Sequence, residues 1–299
     1  MPKKINIVSG GDSNYFELLK ELYLSYKKLN LGNNYVFSIL DGGLSDSDKQ
    51  YFIAEGVKIT DPGWPSNTAK LRSRNKNFLK VELAKAHLDS LFPDYDFLVW
   101  IDADAWFQND KALKIMQTII YKNKLAIFAQ ASRTNTRDIN YKKFFGNLFL
   151  IKNILYKHAS KGRLDKEIQN SLIARPTLNA GVFALSSGSL HWARLRYWQE
   201  KLIRNYRLRI FSITQLALGI IIYHEKLSYE PLPVICNYMG AFRWSNKERV
   251  FTHIFAPYEP ISIIHMAGQD KMRFDKNDTI QLVNEEDQPI NKSLRYNNQ

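Results

Sequence analysis

A single cysteine, Cys236, stands among 299 residues, so the chain can form neither an internal disulfide nor a thiolate metal cluster, and any metal must be held by oxygen or imidazole. This agrees with a reducing compartment. No apolar run approaches the roughly twenty residues that cross a bilayer, and no charged-then-apolar leader follows Met1. The expectation is a soluble, cytoplasmic chain. A Cys/His finger, a ribonucleoprotein-type aromatic motif and a clean helix-turn-helix pattern are all missing, which weighs against a nucleic-acid partner. Acidic residues are also in short supply. Against 42 Lys and Arg there are 29 Asp and Glu, a formal net charge of +13. That imbalance draws the molecule towards something anionic, such as an acidic lipid surface or a phosphorylated small molecule.

What is present reads first as alternation. Strand-like "INIVSGG" (5–11), helical 15–29, "YVFSIL" (35–40), helical 45–56 and "VKIT" (57–60) follow one another in a βαβ rhythm. Ser45 and Asp48 have the spacing of a capping box, and Gly56 is placed to end the same helix. A helical stretch over about 76–91 leads into "FLVWI" (97–101), apolar throughout and therefore a central, doubly covered strand. Residues 131–176, with ten Lys and Arg against three acids, read as an insertion or lid on the acceptor side of one domain spanning 1–275. The sheet resumes at 177–186, helices follow over 189–206 and near 213–226, and 276–299 is expected to be a loose polar tail. The basic, aromatic segment 189–209 reads first as a helix with a packed aromatic stripe under a solvated charged face, with peripheral contact with an anionic membrane as the functional alternative.

Negative charge is concentrated where that central strand ends, in "WIDADAWF" (100–107). Open α/β sheets bind ligands beyond the carboxyl ends of their strands, so Asp102 and Asp104 lie where chemistry is expected. Two adjacent carboxylates repel unless a divalent ion relieves them, and the aromatic surroundings are not those of a solvated turn. Hard oxygen ligands favour Mg²⁺ or Mn²⁺, and an added imidazole tilts the choice to Mn²⁺. His265 closes the apolar run "ISII", with Gly268 and Lys271 following at intervals of three. The glycine permits close approach of a ligand, and the lysine supplies charge for phosphate.

In this order, "GGDSNYF", "PDYDFLVWIDADAWF", "LNAGVFALSS", the Gln of "ITQLALG", "LPVICNY" and "HMAGQDK" resemble the retaining, nucleotide-sugar-dependent glycosyltransferases that include glycogenin and the bacterial lipopolysaccharide galactosyl- and glucosyltransferases. "WIDADAWFQN" is also similar to a related family of α-galactosyl and α-xylosyl transferases. The resemblance covers about residues 5–271. It implies a GT-A (Rossmann-like) α/β fold, with a mixed, mostly parallel sheet flanked by helices, and transfer of a hexose from a UDP-sugar to a saccharide or glycolipid acceptor with retention at the anomeric carbon. Asp102, Asp104 and His265 would hold Mn²⁺ or Mg²⁺, and Gly268 and Lys271 would contact the diphosphate. Asp12, Asn14 and Tyr15 match the loop that reads the nucleotide base. Asn179, Ala180 and Gly181 match the segment lining the donor sugar, and Gln215 a position near the anomeric carbon. A phosphate-binding cation upstream of the aspartates matches Lys80 or Lys85, with Lys80 taken first. The family commonly has Asp before the Gln, where this chain has Thr214. The alternatives are a metal-dependent nucleotidyltransferase, for which "SGGDSN" lacks the basic residue of a phosphate loop, and a non-catalytic carbohydrate- or nucleic-acid-binding protein.

Overall fold

A computed structural model describes residues 3–74, 76–130 and 153–296, together with the backbone of 140–144 and 148–152. The first half alternates as its periodicity predicts: β1 (Ile5–Gly11), α1 (Phe16–Lys28), β2 (Tyr35–Asp41), α2 (Asp46–Ala54) and β3 (Lys58–Thr60). The Ser45 and Asp48 capping box closes the start of α2 in both directions, and Gly56 follows it at φ +76°. After α3 (Asn67–Ser73), the helical stretch expected over 76–91 is two short helices, α4 (Phe78–Ala84) and α5 (Leu88–Leu91).

Next come β4 (Phe97–Ile101), β5 (Ala105–Phe107), α6 (Lys111–Tyr121), β6 (Leu125–Ala129), the paired β7 (Asn140–Phe144) and β8 (Leu148–Lys152), α7 (Ile154–Lys161) and α8 (Lys166–Ser171). The chain continues through β9 (Leu178–Ser186), α9 (Leu190–Ile203), α10 (Ile213–Gly219), β10 (Tyr229–Pro231), β11 (Phe242–Ser245), β12 (Val250–His253), β13 (Ile263–His265), α11 (Asp270–Phe274), β14 (Ile280–Asn284) and β15 (Pro289–Lys292). Residues 131–152 of the expected insertion lie outside the residues whose side chains are described; its remainder holds α7 and α8.

Seven strands form the main sheet in the order β10-β6-β9-β4-β1-β2-β3. Strands β4, β1, β2 and β3 run parallel, and β9 runs antiparallel between β4 and β6. As expected for an all-apolar strand, every residue of β4 is buried. The order of connection reverses between β1 and β4, and there the crevice for a ligand opens. Because Val8 pairs with Trp100, the loops leaving β1 at Asp12 and β4 at Asp102 share one edge.

The residues after 275 are not a loose tail. β14 and β15 complete a four-stranded sheet, β12-β11-β14-β15, with Leu282 and Leu294 buried in one cluster with Trp244 and Phe251. The sequence looks polar there because alternate residues face solvent. Beyond β15, Arg295 is 1% exposed and grips Glu21 of α1 through two hydrogen bonds of 2.7 and 2.8 Å. Along 189–209 Trp192 and Trp198 are buried in the core, while Tyr197 and Tyr206 are exposed. Three of the segment's cations are paired: Arg194 with Glu225, Arg196 with Asp89 and Arg204 with Glu200. Among the described residues, no helix is long and apolar enough to cross a membrane.

Candidate active site and metal centre

The Asp102 and Asp104 carboxylates are held by two strands rather than one. β4 delivers Asp102, whose amide donates to the Gly181 carbonyl at 2.7 Å. β5 then pairs antiparallel with β13, setting His265 opposite Ala105, and the Met266 amide donates to the Asp104 carbonyl at 2.9 Å. A histidine 161 positions away from Asp104 is thereby fixed beside it, with His265 Nε2 3.2 Å from Asp104 Oδ1. One ligand atom from each of Asp102, Asp104 and His265 lies within 4.8 Å of the others.

The flanking tryptophans have separate tasks. Trp100 donates its indole N–H to Asp102 Oδ1 at 2.7 Å, and Trp106 donates to the Leu294 carbonyl at 2.7 Å. Lys85 reaches the same Asp102 oxygen at 2.8 Å and Glu82 at 2.7 Å. Burial opposes a charge on Lys85, but the Asp102 and Glu82 carboxylates outweigh it and hold the ammonium above its usual range. Burial pushes Glu82 up, although the Lys85 ammonium beside it acts in the opposite direction.

The imidazole is oriented by a relay. Asn179 Oδ1 accepts the backbone N–H of Gly181 at 2.8 Å and also an N–H of Asn237 at 3.1 Å. Asn237 therefore turns its carbonyl oxygen to His265 Nδ1, 2.7 Å away. That places a proton on Nδ1 and aims Nε2 at the carboxylates, an arrangement common for metal-binding histidines. Burial disfavours the charged imidazole, yet the Asp104 carboxylate raises the ring's proton affinity above its ordinary value. Burial likewise favours neutral Asp104, but His265 and Arg273 hold it well below the carboxylate range. An oxygen, oxygen and nitrogen donor set, facing a cavity, suits a divalent ion of the Mg²⁺ or Mn²⁺ kind.

The cavity in front measures about 700 Å³. Of the expected residues, Asp12, Asn14, Tyr15, Asn179, Ala180, Gly181 and Gln215 line it together with the three candidate ligands. Asp12 caps the turn after β1 and accepts from the Asn14 amide and side chain, each at 3.1 Å. Tyr15 packs edge-on against Phe274, their ring centres 6.1 Å apart. Gln215 donates to the Leu178 carbonyl at 3.2 Å. Gly181 must be glycine: a Cβ there would sit 2.6 Å from His265 Cε1 and 2.7 Å from Asp102 Oδ2.

Two expected cations, and one expected glycine, fall outside the lining. Lys80 pairs with Asp61 at 2.8 Å, while Lys85, its alternative, enters the cavity. Lys271 points to Asp278 at 2.7 Å with its side chain 76% exposed. In its place Arg273, not singled out from the sequence, lines the cavity and contacts Asp104 Oδ2 at 2.7 Å. Its buried Nε has no hydrogen-bond partner among the described residues. Gly268, at φ +81°, makes the turn that leads into α11, and Ala267 rather than Gly268 touches the cavity. Thr214 is buried and donates to the Glu82 carbonyl at 3.0 Å, away from the cavity.

No protein-family model matches the chain, and no curated protein matches its sequence. Solved structures do. The bifunctional glycosyltransferase WbbM aligns at TM-score 0.55 and 14% identity over 90% of this chain, which spans only 46% of that one. An active-site mutant of LgtC, whose complex with donor and acceptor sugar analogues has also been solved as a galactosyltransferase, aligns at TM-score 0.53 and 14% identity, over 88% of this chain and 87% of its own. Mouse xyloside xylosyltransferase 1 aligns at 0.51 and 10% identity, over 89% and 98%. The mixed, mostly parallel sheet and its flanking helices are therefore those of the GT-A glycosyltransferase fold.

Proposed function

We propose that this protein is a metal-dependent glycosyltransferase that moves a hexose from a UDP-sugar to a saccharide or glycolipid acceptor, with retention at the anomeric carbon. The convergence of Asp102, Asp104 and His265 within 4.8 Å at the switch point of the sheet carries this reading. Asp102, Asp104 and His265 Nε2 would hold Mn²⁺ or Mg²⁺. When bound, such an ion supplies positive charge to the leaving diphosphate.

The chain's own residues supply the rest. Asp12, Asn14 and Tyr15 receive the nucleotide base, with Tyr15 as the stacking surface, and Phe274 closes the same wall. Arg273 provides the cation for the diphosphate that Lys271, turned towards Asp278, does not. Charge grows on that group as the anomeric C–O bond breaks, so the guanidinium stabilises the transition state more than the ground state. Asn179, Ala180 and Gly181 line the sugar. The amide N–H bond from Gln215 to Leu178 leaves Gln215 Oε1 for the cavity, beside the reacting carbon. The acceptor oxygen bonds to the anomeric carbon on the face the diphosphate leaves, and the diphosphate oxygen takes the acceptor's proton. Any contact with anionic lipid falls to those cations of 189–209 that are not paired within the protein, because Arg194, Arg196 and Arg204 are.

A thermal-shift series with UDP-sugars, with and without Mn²⁺, tests the reading, because a ligand of the folded state raises its apparent stability. Stabilisation by a UDP-sugar that requires Mn²⁺ and is lost in Asp104→Ala and His265→Ala is expected. No response to any UDP-sugar, or an equal response in both variants, overturns it.

A further inference from the structure

Next to the donor cavity lies a second hollow of about 550 Å³. It forms where α3 and the turn before α4 meet the segment after α9. Neither contributing stretch contains an acid: there is none from Pro62 to Val81, and none from Lys201 to His224. Arg72 is used structurally, donating to the Ile203 and Leu208 carbonyls and lying 4.9 Å from the Tyr206 ring centre. Arg74, Lys76 and Arg209 are exposed lining residues with no carboxylate partner among the described residues.

Two aromatic side chains join this hollow to the donor cavity. Phe78 and Phe211 line both, and both are exposed. Phe211 stands four residues before Gln215, and both line the donor cavity, so a ligand in the second hollow lies beside the wall that carries the residue assigned to the anomeric carbon. An exposed aromatic face packs the apolar side of a sugar ring, and a guanidinium forks onto carboxylate or phosphate oxygens. The volume suits a small ligand rather than an extended strand.

We propose that this hollow is the acceptor subsite and that it takes an anionic saccharide, a glycan bearing a carboxylate or phosphate group, held by Arg74, Lys76 and Arg209 with its reacting hydroxyl directed past Phe78 and Phe211 to Gln215. The acceptor role rests on the transferase reading above; the charge preference does not.

Saturation-transfer NMR with trigalacturonate and glucose 6-phosphate, against maltotriose and glucose at matched ionic strength and with inorganic phosphate added as a competitor, tests it. The anionic saccharides should show strong transfer, at least about tenfold above their neutral counterparts, weakened by salt. The signal should collapse in the triple variant Arg74→Gln, Lys76→Gln, Arg209→Gln, and in the single reversal Arg209→Glu, while Mn²⁺-dependent UDP binding stays unchanged. Equal binding of neutral saccharides, displacement of glucose 6-phosphate by an equal concentration of inorganic phosphate, retention of the preference in both variants, or binding of phosphatidylglycerol vesicles or single-stranded RNA without saccharide binding would each overturn it. Saccharide binding in a protein blind to UDP and Mn²⁺ removes the acceptor role together with the transferase reading. UDP binding without saccharide preference removes this proposal alone.

Discussion

His265 and Asn237 share a hydrogen bond of 2.7 Å that decides which nitrogen of the imidazole meets Asp104. The decision is made at a distance, because Asn237 is itself oriented by Asn179 and the Gly181 amide. Asn237→Ala should weaken Mn²⁺ binding by about tenfold to a hundredfold while the fold persists. Titration of free Mn²⁺ by electron paramagnetic resonance, in the presence of UDP, reads this directly. An unchanged dissociation constant would show that the relay does not govern the imidazole.

The same contacts give a pH dependence. Asp104 raises the proton affinity of His265 against the effect of burial, and a metal must displace that proton from Nε2. Affinity for Mn²⁺ should therefore rise with pH until the medium passes the raised value, then level off. Calorimetry in buffers of different ionisation enthalpy should detect proton release on binding near neutral pH. Binding without proton release contradicts the assignment of Nε2.

Arg273 lines the cavity, and Lys271, the cation expected there, does not. Arg273→Met should weaken UDP binding by about tenfold or more, the scale of a lost charge-assisted hydrogen bond. Lys271→Met should change it little, because its ammonium sits on Asp278 outside the cavity. Isothermal titration of UDP with Mn²⁺ into both variants separates the two, and the reverse ranking would return the phosphate contact to Lys271.

Gly181 is hemmed in by the side chains it serves. In Gly181→Ala the methyl group would press on His265, Asp102 and Asn179 at once, so Mn²⁺ affinity should fall at least about tenfold with little change in circular dichroism. Wild-type affinity in this variant would mean that the three groups can part without consequence.

Burial makes the Arg295 and Glu21 pair costly to break from one side. Arg295→Met should destabilise the fold by about 3–5 kcal/mol, because a buried carboxylate loses its partner. Urea unfolding measures it, and a loss below about 1 kcal/mol would show that water replaces the arginine.

What the sequence made legible was local or depended on a strand end. The Ser45 cap, the buried strand 97–101 and the aspartates after it follow from short-range pattern. The ligand set was within reach because His265 also ends a strand. Choices between neighbouring cations were not legible, since they depend on helix phase. Lys271 and Arg273 are two positions apart on α11, nearly opposite by rotation, and only the docking of α11 decides which faces inward. Lys80 and Lys85 pose the same problem around α4. Asn237 lay inside a quoted motif, but its task requires three chain segments to meet. The order after residue 275 was missed because polarity hid an alternation of Ile280, Leu282 and Ile290.

The pairing of β5 with β13 has a consequence for biosynthesis. A nascent chain can complete β1 to β4 early and expose both aspartates, yet it holds no imidazole against them until residue 265 leaves the ribosome. The Arg295 clamp, which also accepts the task of bonding the Met272 and Arg273 carbonyls, arrives later still. The candidate ligand set is thus among the last features the polypeptide can complete, and a product terminated before residue 265 would lack one of its three members.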